Sequence, residues 1–393
     1  MKIGLVVGEF PLLSETFVIS QIDGLLRRGY DVSIVCDRIG RDARIDPEIE
    51  PMRTMLTKTH RWWQVPTGVT GAVHHLPARL QDKVSTAADM LWTHELNRCD
   101  LLLAHFGGNG LRLARAKKRK RLAPPIVTIF HGKDVGVPAH DGTLSRYLPL
   151  FQYGAHQLTV NDVFRRALIN AGAPASQVSV HRMGVDCDDI VYRHREFGNG
   201  PLQLISVCRL VEKKGIAFAL RAVAALQAAK PGIDWRYQII GDGPQLEALR
   251  RLAQELGLAD RVKFHGALPH SRVKDSLAGA HVFLLPSVTA AGGDVEGVPV
   301  ALMEAMAAGL IAVSTYHSGI PELVENQRTG FLAPEKDVAA LAAHLIWIAE
   351  NPAAAEPITL AARAHIEAEF NNAILNDRLA ETMTSLLRTK AAA

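Results

Sequence analysis

Short aliphatic runs alternate with helix-like segments along almost the whole chain, and this alternation limits the possible folds more than any other feature. In the first half, buried runs occur at residues 3–7, 32–36 and 126–130, separated by amphipathic segments and polar turns. The second half repeats the rhythm, for example with an aliphatic run at 204–207 and a helix-like segment at 216–229. Such alternation predicts an α/β fold, with parallel sheets that are covered by helices on both faces.

The length of 393 residues exceeds what one hydrophobic core of usual size holds, so we expect two domains of about 150–200 residues. We assign residues 1–190 to the first Rossmann-like domain and residues 200–370 to the second. We expect a helix at about 371–390 to pack back on the first domain. The polar, glycine- and asparagine-containing segment 187–200 is predicted to be the linker. Because ligands bind at the carboxyl ends of strands in open α/β sheets, the predicted active site is a cleft between the two domains.

The composition narrows the class of partner. Hydrophobic residues make up 48% of the chain and charged residues 21%, which is ordinary for a globular protein. The net charge of +4 suits an anionic substrate or a lipid surface but is too small to indicate nucleic acid. Four cysteines without a CxxC pair indicate a reducing compartment and no zinc site. We predict no signal sequence and no membrane-spanning helix, and therefore a cytoplasmic protein.

The stretch from Glu296 to Glu304 carries two carboxylates eight positions apart. Pro299 suits the first turn of a helix and Gly309 suits its C-terminal end, which places Glu304 inside the helix and Glu296 just before it. Free N–H groups near Gly297 and Val298 would then form an anion site, with one carboxylate on each side. That arrangement fits a diphosphate between two hydroxyl-rich rings, as in a nucleotide sugar. The same spacing also fits two ordinary surface glutamates near a helix start.

Two basic residues flank the predicted turn between the strand at 204–207 and the helix at 216–229. Arg209 follows the strand at 204–207, and Lys214 precedes the helix at 216–229. An arginine fork and a lysine point charge can hold phosphate oxygens, so the pair could neutralise a departing nucleoside diphosphate without a metal. The alternative is a solvated basic turn.

Two other motifs are weaker signals. The sequence from Gly241 to Pro244 lacks the third glycine of a dinucleotide fingerprint, because Leu246 stands at that position, and we interpret it as a tight turn. Asp186 and Asp188 form a DxD, but no predicted strand ends in front of them. No other group of His, Cys, Asp and Glu has the spacing of metal ligands. We therefore predict neither a metal nor a cofactor.

Taken together, these motifs resemble those of the retaining GT-B glycosyltransferases of glycosyltransferase family 4, and the resemblance covers nearly the whole chain. The matching motifs, in order, are RLxxxKG at 209–215, GDGP at 241–244, LPS at 285–287, Ex7E at 296–304, SGIPE at 318–322 and GF at 330–331. Residues 10–17 and 293–299 look like the bacterial exopolysaccharide transferases of the colanic acid and amylovoran type. The departures are Cys208, where a glycine is usual, and Leu310, where a proline is common.

The resemblance implies a GT-B fold and a hexosyltransferase that takes a UDP- or GDP-sugar as donor. It implies that Arg209 and Lys214 hold the donor diphosphate and that Glu304 binds the ribose hydroxyls. It places Glu296 beside the transferred sugar, and His131 at the reacting centre. The remaining donor contacts that it implies are Leu268 along the base and the backbone of Gly297, Val298, Pro299 and Val300.

His131 and two further residues belong to the first domain. His131 and His105 each end a predicted strand, and each could equally be an ordinary buried histidine. We place His105 on the acceptor side together with Glu15, which lies in the 10–17 motif.

A basic run at 117–121 follows a helix-like segment. The resemblance implies an acceptor linked to undecaprenyl diphosphate at the inner face of the cell membrane. Peripheral docking by the basic run, aided by Trp62 and Trp63, would suit such an acceptor, because each basic residue near anionic lipid contributes about 1 kcal/mol. A solvated helix end explains the run equally well. No aromatic platform accompanies it, so we do not predict nucleic-acid binding.

Three other functions remain open at this point. A GT-B epimerase would turn over a UDP-sugar without a polymer acceptor. A phosphorylase is disfavoured because the sequence lacks the family's lysine motif for pyridoxal phosphate. An inactive nucleotide-sugar-binding scaffold would bind the donor without hydrolysing it.

Overall fold

The structure, a computed structural model, describes residues 1–12, 15–40, 50–61, 93–198 and 200–391. The chain divides into two compact units. The first contains Met1–His181 and Leu375–Ala393, and the second contains Arg182–Ile374. Each unit is built on its own parallel sheet, which confirms the predicted α/β fold.

The first unit has a seven-stranded sheet in the order β3-β2-β1-β4-β5-β6-β7. Its strands are β1 Lys2–Phe10, β2 Asp31–Ile39, β3 Thr59–Arg61, β4 Leu101–His105, β5 Ile126–Phe130, β6 His156–Thr159 and β7 Val178–Val180. Helices in this part of the chain include α1 Thr16–Arg27, α2 Met52–Thr57, α3 Gly107–Lys118, α4 Lys133–His140, α5 Leu148–Tyr153 and α6 Asp162–Asn170. Every residue of β4 and β5 is buried, because helices cover both faces of a parallel sheet.

The second unit has a six-stranded sheet in the order β10-β9-β8-β11-β12-β13. Its strands are β8 Leu202–Val207, β9 Trp235–Ile240, β10 Val262–Gly266, β11 Val282–Leu284, β12 Ile311–Thr315 and β13 Gly330–Ala333. The helices that follow β8 in sequence are α7 Ile216–Ala229, α8 Leu246–Glu255, α9 His270–Ala278, α10 Val300–Ala307, α11 Ile320–Leu323, α12 Val338–Glu350, α13 Ala355–Glu369 and α14 Asn372–Ala391. The last of these helices continues into the first unit.

Both sheets are doubly wound. In each, the first strand lies inside the sheet and the strand order reverses beside it, as in a Rossmann fold. Ligands of such sheets bind outside the carboxyl ends of the strands at this reversal point. In the second unit the reversal lies between β8 and β11, so a ligand site is expected at the turns that follow these two strands.

The strongest periodic segments were placed correctly from sequence. The predictions at 126–130 and 216–229 coincide with β5 and α7. The short strands β6 and β7 were missed, because His156 and Ser179 interrupt their apolar pattern. Within 38–98, the described part contains α2 and β3. Trp62 and Trp63 lie outside the described residues.

The segment predicted as a linker, 187–200, makes several contacts with the second unit. The Arg195 guanidinium, 8% exposed, donates to the carbonyl of Ala308 at 2.9 Å. From α13, the Arg363 guanidinium donates to the carbonyl of Ala307, also at 2.9 Å. These carbonyls at the end of α10 have no partner within the helix, so the two arginines stabilise the C-terminus of α10.

Among the described residues, no single helix is both long enough and apolar enough to cross a membrane. The pair Val338–Glu350 and Pro352–Glu369 passes the same test only when taken together, with a bend of 98° between them.

Candidate functional site

Close backbone packing shapes the turn that follows β8. Gly215 has a φ of 65°, and a Cβ atom there would lie 1.8 Å from the carbonyl oxygen of Pro286. Gly241 has a φ of 133°, and its Cβ would lie 1.8 Å from the carbonyl oxygen of Cys208. Only glycine fits at these two positions. The glycines between 241 and 244 therefore serve a tight turn beside β8, which confirms that interpretation.

Lys214 and Glu296 form a buried ion pair at the carboxyl edge of this sheet. The Lys214 Nζ lies 2.6 Å from Glu296 Oε1, and the two side chains are 15% and 7% exposed. The Ser287 hydroxyl donates to the same carboxylate oxygen at 3.4 Å. The turn after β8 and the loop after β11 thus meet in one charged contact, at the reversal point of the sheet.

The Glu296 carboxylate is held in its ionised form. Burial alone would raise its pKa, but the charges of Lys214 and Lys213 and the hydrogen bond from Lys214 outweigh this effect. The pKa of Glu296 therefore lies below its ordinary value. A fixed negative charge at this point can stabilise positive charge that develops on a bound sugar ring.

The turn after β8 also holds the loop before Glu296. The Lys213 ammonium donates to Asp294 Oδ1 at 3.0 Å and to the carbonyl of Val295 at 3.1 Å. The Glu212 carboxylate accepts the backbone N–H of Ala291 at 3.1 Å. Consecutive residues 212, 213 and 214 therefore fix three points of the loop, which leaves Glu296 little freedom to move.

Helix α10 begins directly after this loop. Pro299 is its N-cap residue, and Gly309, with a φ of 90°, follows its C-cap, so the predicted start and stop of the helix are confirmed within a residue. The structure places Glu304 inside the helix and Glu296 before it, as predicted. The N-terminal N–H groups of a helix lack acceptors within the helix, and here they lie directly after the carboxylate of Glu296 in sequence.

Glu304 occupies a different electrostatic environment from Glu296. Burial raises the pKa of Glu304 to about 7, with Lys274 lowering it and Asp189 raising it. Lys274 is engaged by Asp189, since its Nζ lies 2.5 Å from Asp189 Oδ2. Within the described parts of the chain the Glu304 carboxylate has no hydrogen-bond or ion-pair partner, which suits a group that awaits ligand hydroxyls.

Replacing Glu304 by glutamine is expected to raise the Tm at pH 8 and to lose most of that advantage at pH 5. The raised pKa means that the folded wild type binds a proton that the unfolded chain releases between pH 4.5 and 7, so its stability falls as the pH rises through this window. Glutamine mimics the protonated form and avoids that loss. Thermal unfolding at both pH values checks the prediction, and a variant no more stable than wild type at pH 8 contradicts it.

Arg209 is exposed, and its guanidinium has no hydrogen-bond or ion-pair partner among the described residues. It influences the pKa of the neighbouring Cys208 thiol, as do Lys214 and Glu296. Burial raises that pKa to about 12, so the thiol stays protonated. The guanidinium of Arg209 is therefore available for an anion beside the Lys214–Glu296 pair.

The other predicted donor contacts are spread along the same strand ends. Leu268 follows β10 and is partly buried. Gly297, Val298, Pro299 and Val300 connect Glu296 to α10. At the predicted DxD, the backbone N–H of Asp188 donates to Asp186 Oδ1 at 3.1 Å, which is a local turn. Among the described residues, no group of three or more His, Cys, Asp and Glu side chains could hold a metal ion.

Sequence reasoning missed His317 and Glu335, which follow β12 and β13 at the same edge. The His317 ring accepts the backbone N–H of Glu296 on Nε2 at 3.0 Å, and its Nδ1 lies 2.5 Å from Glu335 Oε1. Their position directly after two strands was the available signal, since polar residues there reach the binding edge of a parallel sheet.

In the first unit, the structure brings the two predicted histidines together. His105 ends β4 and is fully buried, while His131 follows β5 and is 8% exposed. Nδ1 of His105 lies 3.1 Å from Nε2 of His131, and the rings are stacked. Burial lowers the pKa of His131 well below its ordinary value and that of His105 to about 3, so both rings are neutral. Phe17 packs on His131 with ring centroids 4.6 Å apart.

Asp134, which sequence reasoning also missed, joins the two histidine turns. Its carboxylate accepts the backbone N–H groups of Gly107 at 2.9 Å, His131 at 3.0 Å and Gly132 at 2.9 Å. Glu15 is the N-cap residue of α1, and burial together with the charge of Glu9 raises its pKa to about 7.

Solved structures with a similar backbone identify the fold class. The HepE protein of Anabaena, in a structure with UDP and glucose, matches with a TM-score of 0.75 and 21% identity over 98% of this chain and 100% of that chain. The lipopolysaccharide outer core galactosyltransferase WaaB matches with a TM-score of 0.74 and 18% identity over 98% and 99%. At these identities the likeness shows the fold alone, which is the GT-B glycosyltransferase fold.

Sequence relatives then place the chain in a family. The profile "Glycosyltransferase Family 4" matches residues 14–189, and "Glycosyl transferases group 1" matches residues 193–365. A colanic acid biosynthesis glycosyltransferase, WcaL, of Escherichia coli is 36% identical over 98% of this chain and 100% of its own length. The amylovoran biosynthesis glycosyltransferase AmsK of Erwinia amylovora is 35% identical over 98% and 100%. The chain belongs to this family of glycosyltransferases and is an enzyme of that class.

A more distant relative shares only part of the chain. The GDP-mannose-dependent monoacylated α-(1-6)-phosphatidylinositol monomannoside mannosyltransferase of Corynebacterium glutamicum is 35% identical over 45% of each chain.

Proposed function

We propose that this enzyme is a retaining glycosyltransferase that moves a hexose from a UDP- or GDP-sugar to a saccharide acceptor in exopolysaccharide biosynthesis. The names of the full-length relatives, which refer to colanic acid and amylovoran biosynthesis, support a polysaccharide product. The Anabaena structures contain UDP or UDP-glucose, and the corynebacterial relative is named as GDP-mannose-dependent, which supports a nucleotide-sugar donor.

The observation that carries this proposal is the arrangement of charges at the reversal point of the second sheet. Two segments carry these groups. The turn after β8 holds Arg209, which is exposed, and Lys214, which pairs with the buried Glu296. The loop after β11 holds Glu296 and leads into the first N–H groups of α10. A pyrophosphate suits the cations and the helix start, and the two glutamates suit hydroxyl-bearing rings on either side. Glu304 is assigned to the ribose and Leu268 to the base.

The chemistry follows from these charges. The acceptor hydroxyl attacks the anomeric carbon from the face that the diphosphate leaves, and a leaving phosphate oxygen takes the proton. Arg209, Lys214 and the N-terminus of α10 stabilise the negative charge on the departing diphosphate. Glu296 stabilises the positive charge on the sugar as an ionised carboxylate. A covalent intermediate on Glu296 is the less favoured variant, because its ion pair with Lys214 lowers its nucleophilicity. His131 is assigned to the reacting sugar, with His105 and Glu15 on the acceptor side.

Binding of UDP or GDP is expected to raise the Tm of the wild-type protein, because a ligand that binds only the folded state stabilises it. The Arg209→Ala variant should bind roughly 10-fold to 100-fold more weakly, since one charge-assisted phosphate contact is lost. Arg250 is a matched control, because it is an exposed arginine that pairs with Glu247, at 2.9 Å. Equal thermal shifts for wild type and Arg209→Ala, at every nucleotide concentration, would contradict the proposal.

Donor turnover separates this function from its alternatives. Release of nucleoside diphosphate from a panel of UDP- and GDP-sugars, accelerated by saccharide acceptors, is the expected result. Conversion of UDP-N-acetylglucosamine to an epimer without an acceptor would identify an epimerase instead. Nucleotide binding without any donor hydrolysis would identify a scaffold.

We further propose that the acceptor is linked to undecaprenyl diphosphate and that the basic end of α3 contacts anionic lipid. Lys118 and Lys120 are exposed there, whereas Lys117 donates to the carbonyl of Pro124 at 2.6 Å. Neither exposed lysine has a side-chain partner among the described residues, so these two positions are suited to testing membrane contact.

The double variant Lys118→Gln/Lys120→Gln is expected to bind anionic vesicles roughly 30-fold more weakly, because each lysine contributes about 1 kcal/mol near such lipid. Flotation with phosphatidylglycerol-containing liposomes measures this change. Arg250→Gln/Arg251→Gln removes the same charge from exposed positions on α8 and should leave binding unchanged. If both double variants float like wild type, the basic end of α3 is only a solvated helix terminus.

A further inference from the structure

His317 is a buried histidine whose two ring nitrogens contact residues on the loops that follow β11 and β13. It follows β12 and is 1% exposed. Its Nε2 accepts the backbone N–H of Glu296 at 3.0 Å, and its Nδ1 lies 2.5 Å from Glu335 Oε1. Its polar atoms are therefore fully used by one main-chain group and one carboxylate.

These contacts fix the tautomer of His317. A backbone N–H can only donate, so Nε2 must be without a proton to accept from Glu296. The proton of the neutral ring is then on Nδ1, from which it is donated to Glu335. A proton added to Nε2 would point at the N–H of Glu296 and break that contact.

Glu335 connects the same histidine to the other end of the loop. Its carboxylate accepts the backbone N–H of Thr289 at 2.8 Å and the Thr289 hydroxyl at 3.2 Å. Burial would raise the pKa of Glu335, but the Thr289 amide and the His317 ring outweigh this effect and lower it, so Glu335 stays ionised. Thr289 and Glu296 bound a single loop, and the His317–Glu335 pair therefore spans it.

Ser318, the residue after His317, also binds the main chain of Glu296. The Ser318 hydroxyl donates to the carbonyl of Glu296 at 2.6 Å, and Ser318 adopts a φ of 48°. Both main-chain polar groups of Glu296 are thus held by consecutive residues. The side chain of Glu296 meanwhile contacts Lys214, on the turn after β8.

We propose that His317, as the Nδ1–H tautomer oriented by Glu335, is a positioning residue for glycosyl transfer. It fixes the main chain of Glu296 and so places the carboxylate beside Lys214 at the donor site. This inference rests on the proposed function only for its effect on turnover; the tautomer and the loop contact are properties of the protein itself.

Two conservative variants separate positioning from simple packing. In His317→Asn the side-chain amide retains a donor for Glu335 but does not reach the N–H of Glu296. In His317→Gln the longer side chain can place an acceptor near the position of Nε2. We expect kcat for donor turnover to fall roughly 10-fold to 100-fold in His317→Asn and to remain within a few-fold of wild type in His317→Gln. His344→Asn is the control, because His344 packs on Phe331 and contacts the carbonyl of Leu332, away from Glu296 in sequence.

Equal losses in the asparagine and glutamine variants, or an asparagine variant as active as wild type, would overturn the proposal. Nitrogen-15 NMR gives a readout that needs no activity. The His317 signal, assigned by its loss in His317→Gln, should show a neutral ring with the proton on Nδ1, and His317→Asn should shift the amide signal of Glu296. A ring protonated on Nε2 at pH 8 would overturn the inference, whether or not any nucleotide sugar is turned over. Absence of donor turnover in the wild type would instead count against the proposed function alone.

Discussion

Glu296→Gln is expected to lower kcat for donor turnover about 10²-fold to 10³-fold, the usual effect of removing one preorganised charge or hydrogen-bonding group from a reacting centre. The wild-type carboxylate is ionised, buried and paired with Lys214, while His317 and Ser318 hold the main chain of Glu296. It therefore stabilises positive charge on the sugar without having to reorganise in the transition state. Glutamine retains the shape but not the charge. Steady-state release of nucleoside diphosphate at saturating donor measures the change.

A surface ion pair in the same unit supplies the control for this experiment. Lys230 and Glu350 lie 2.5 Å apart, but their side chains are 47% and 46% exposed. Glu350→Gln should leave kcat unchanged. Near-normal turnover by Glu296→Gln would remove Glu296 from the reaction and reduce the motif to a structural contact.

Lys214→Met is expected to destabilise the folded protein by about 3–5 kcal/mol at pH 8, because it leaves the buried Glu296 carboxylate without its cation. In the wild type the lowered pKa of Glu296 contributes stability that is present above the ordinary pKa of a glutamate and is lost as the pH falls. In the variant, burial is no longer offset and the pKa of Glu296 rises, so the carboxyl becomes protonated at milder pH. The difference in the free energy of unfolding should therefore shrink as the pH is lowered toward 4. Urea denaturation across pH 4–8 measures it.

The matched variant Lys230→Met removes an exposed partner and should change stability by about 0–1 kcal/mol. The double variant Lys214→Met/Glu296→Gln should recover most of the lost stability, since no unpaired charge remains. A loss in Lys214→Met that is as small as that in Lys230→Met, or that does not depend on pH, would show that the pair is not buried in solution.

The elements that could be predicted from sequence are those with a local cause. Helix α10 was located because Pro299 and Gly309 mark its ends, and the tight turn at 241–244 because Leu246 rules out the dinucleotide fingerprint. The Lys214–Glu296 contact was not predicted as an ion pair, although both residues were assigned to the donor. It arises because β8 and β11, which are distant in sequence, are neighbours in the sheet.

The contacts of His317, Glu335 and Asp134 could not be predicted for a related reason. Each side chain binds backbone N–H groups on other loops, and backbone groups leave no residue-type signal in a sequence. The pairing of His105 with His131 depends on the adjacency of β4 and β5, which the sequence analysis did not specify. The sequence analysis did not predict the order of the strands in each sheet, and this order decides which loops lie together at one edge.

A crystal structure of the protein with UDP or GDP bound tests most directly the claim that the nucleotide binds at this edge of the second sheet. The account predicts that the pyrophosphate lies within hydrogen-bonding distance of the Arg209 guanidinium, the Lys214 ammonium and the first N–H groups of α10, with the ribose hydroxyls at Glu304. A nucleotide that binds elsewhere and contacts neither Arg209 nor the start of α10 would contradict it.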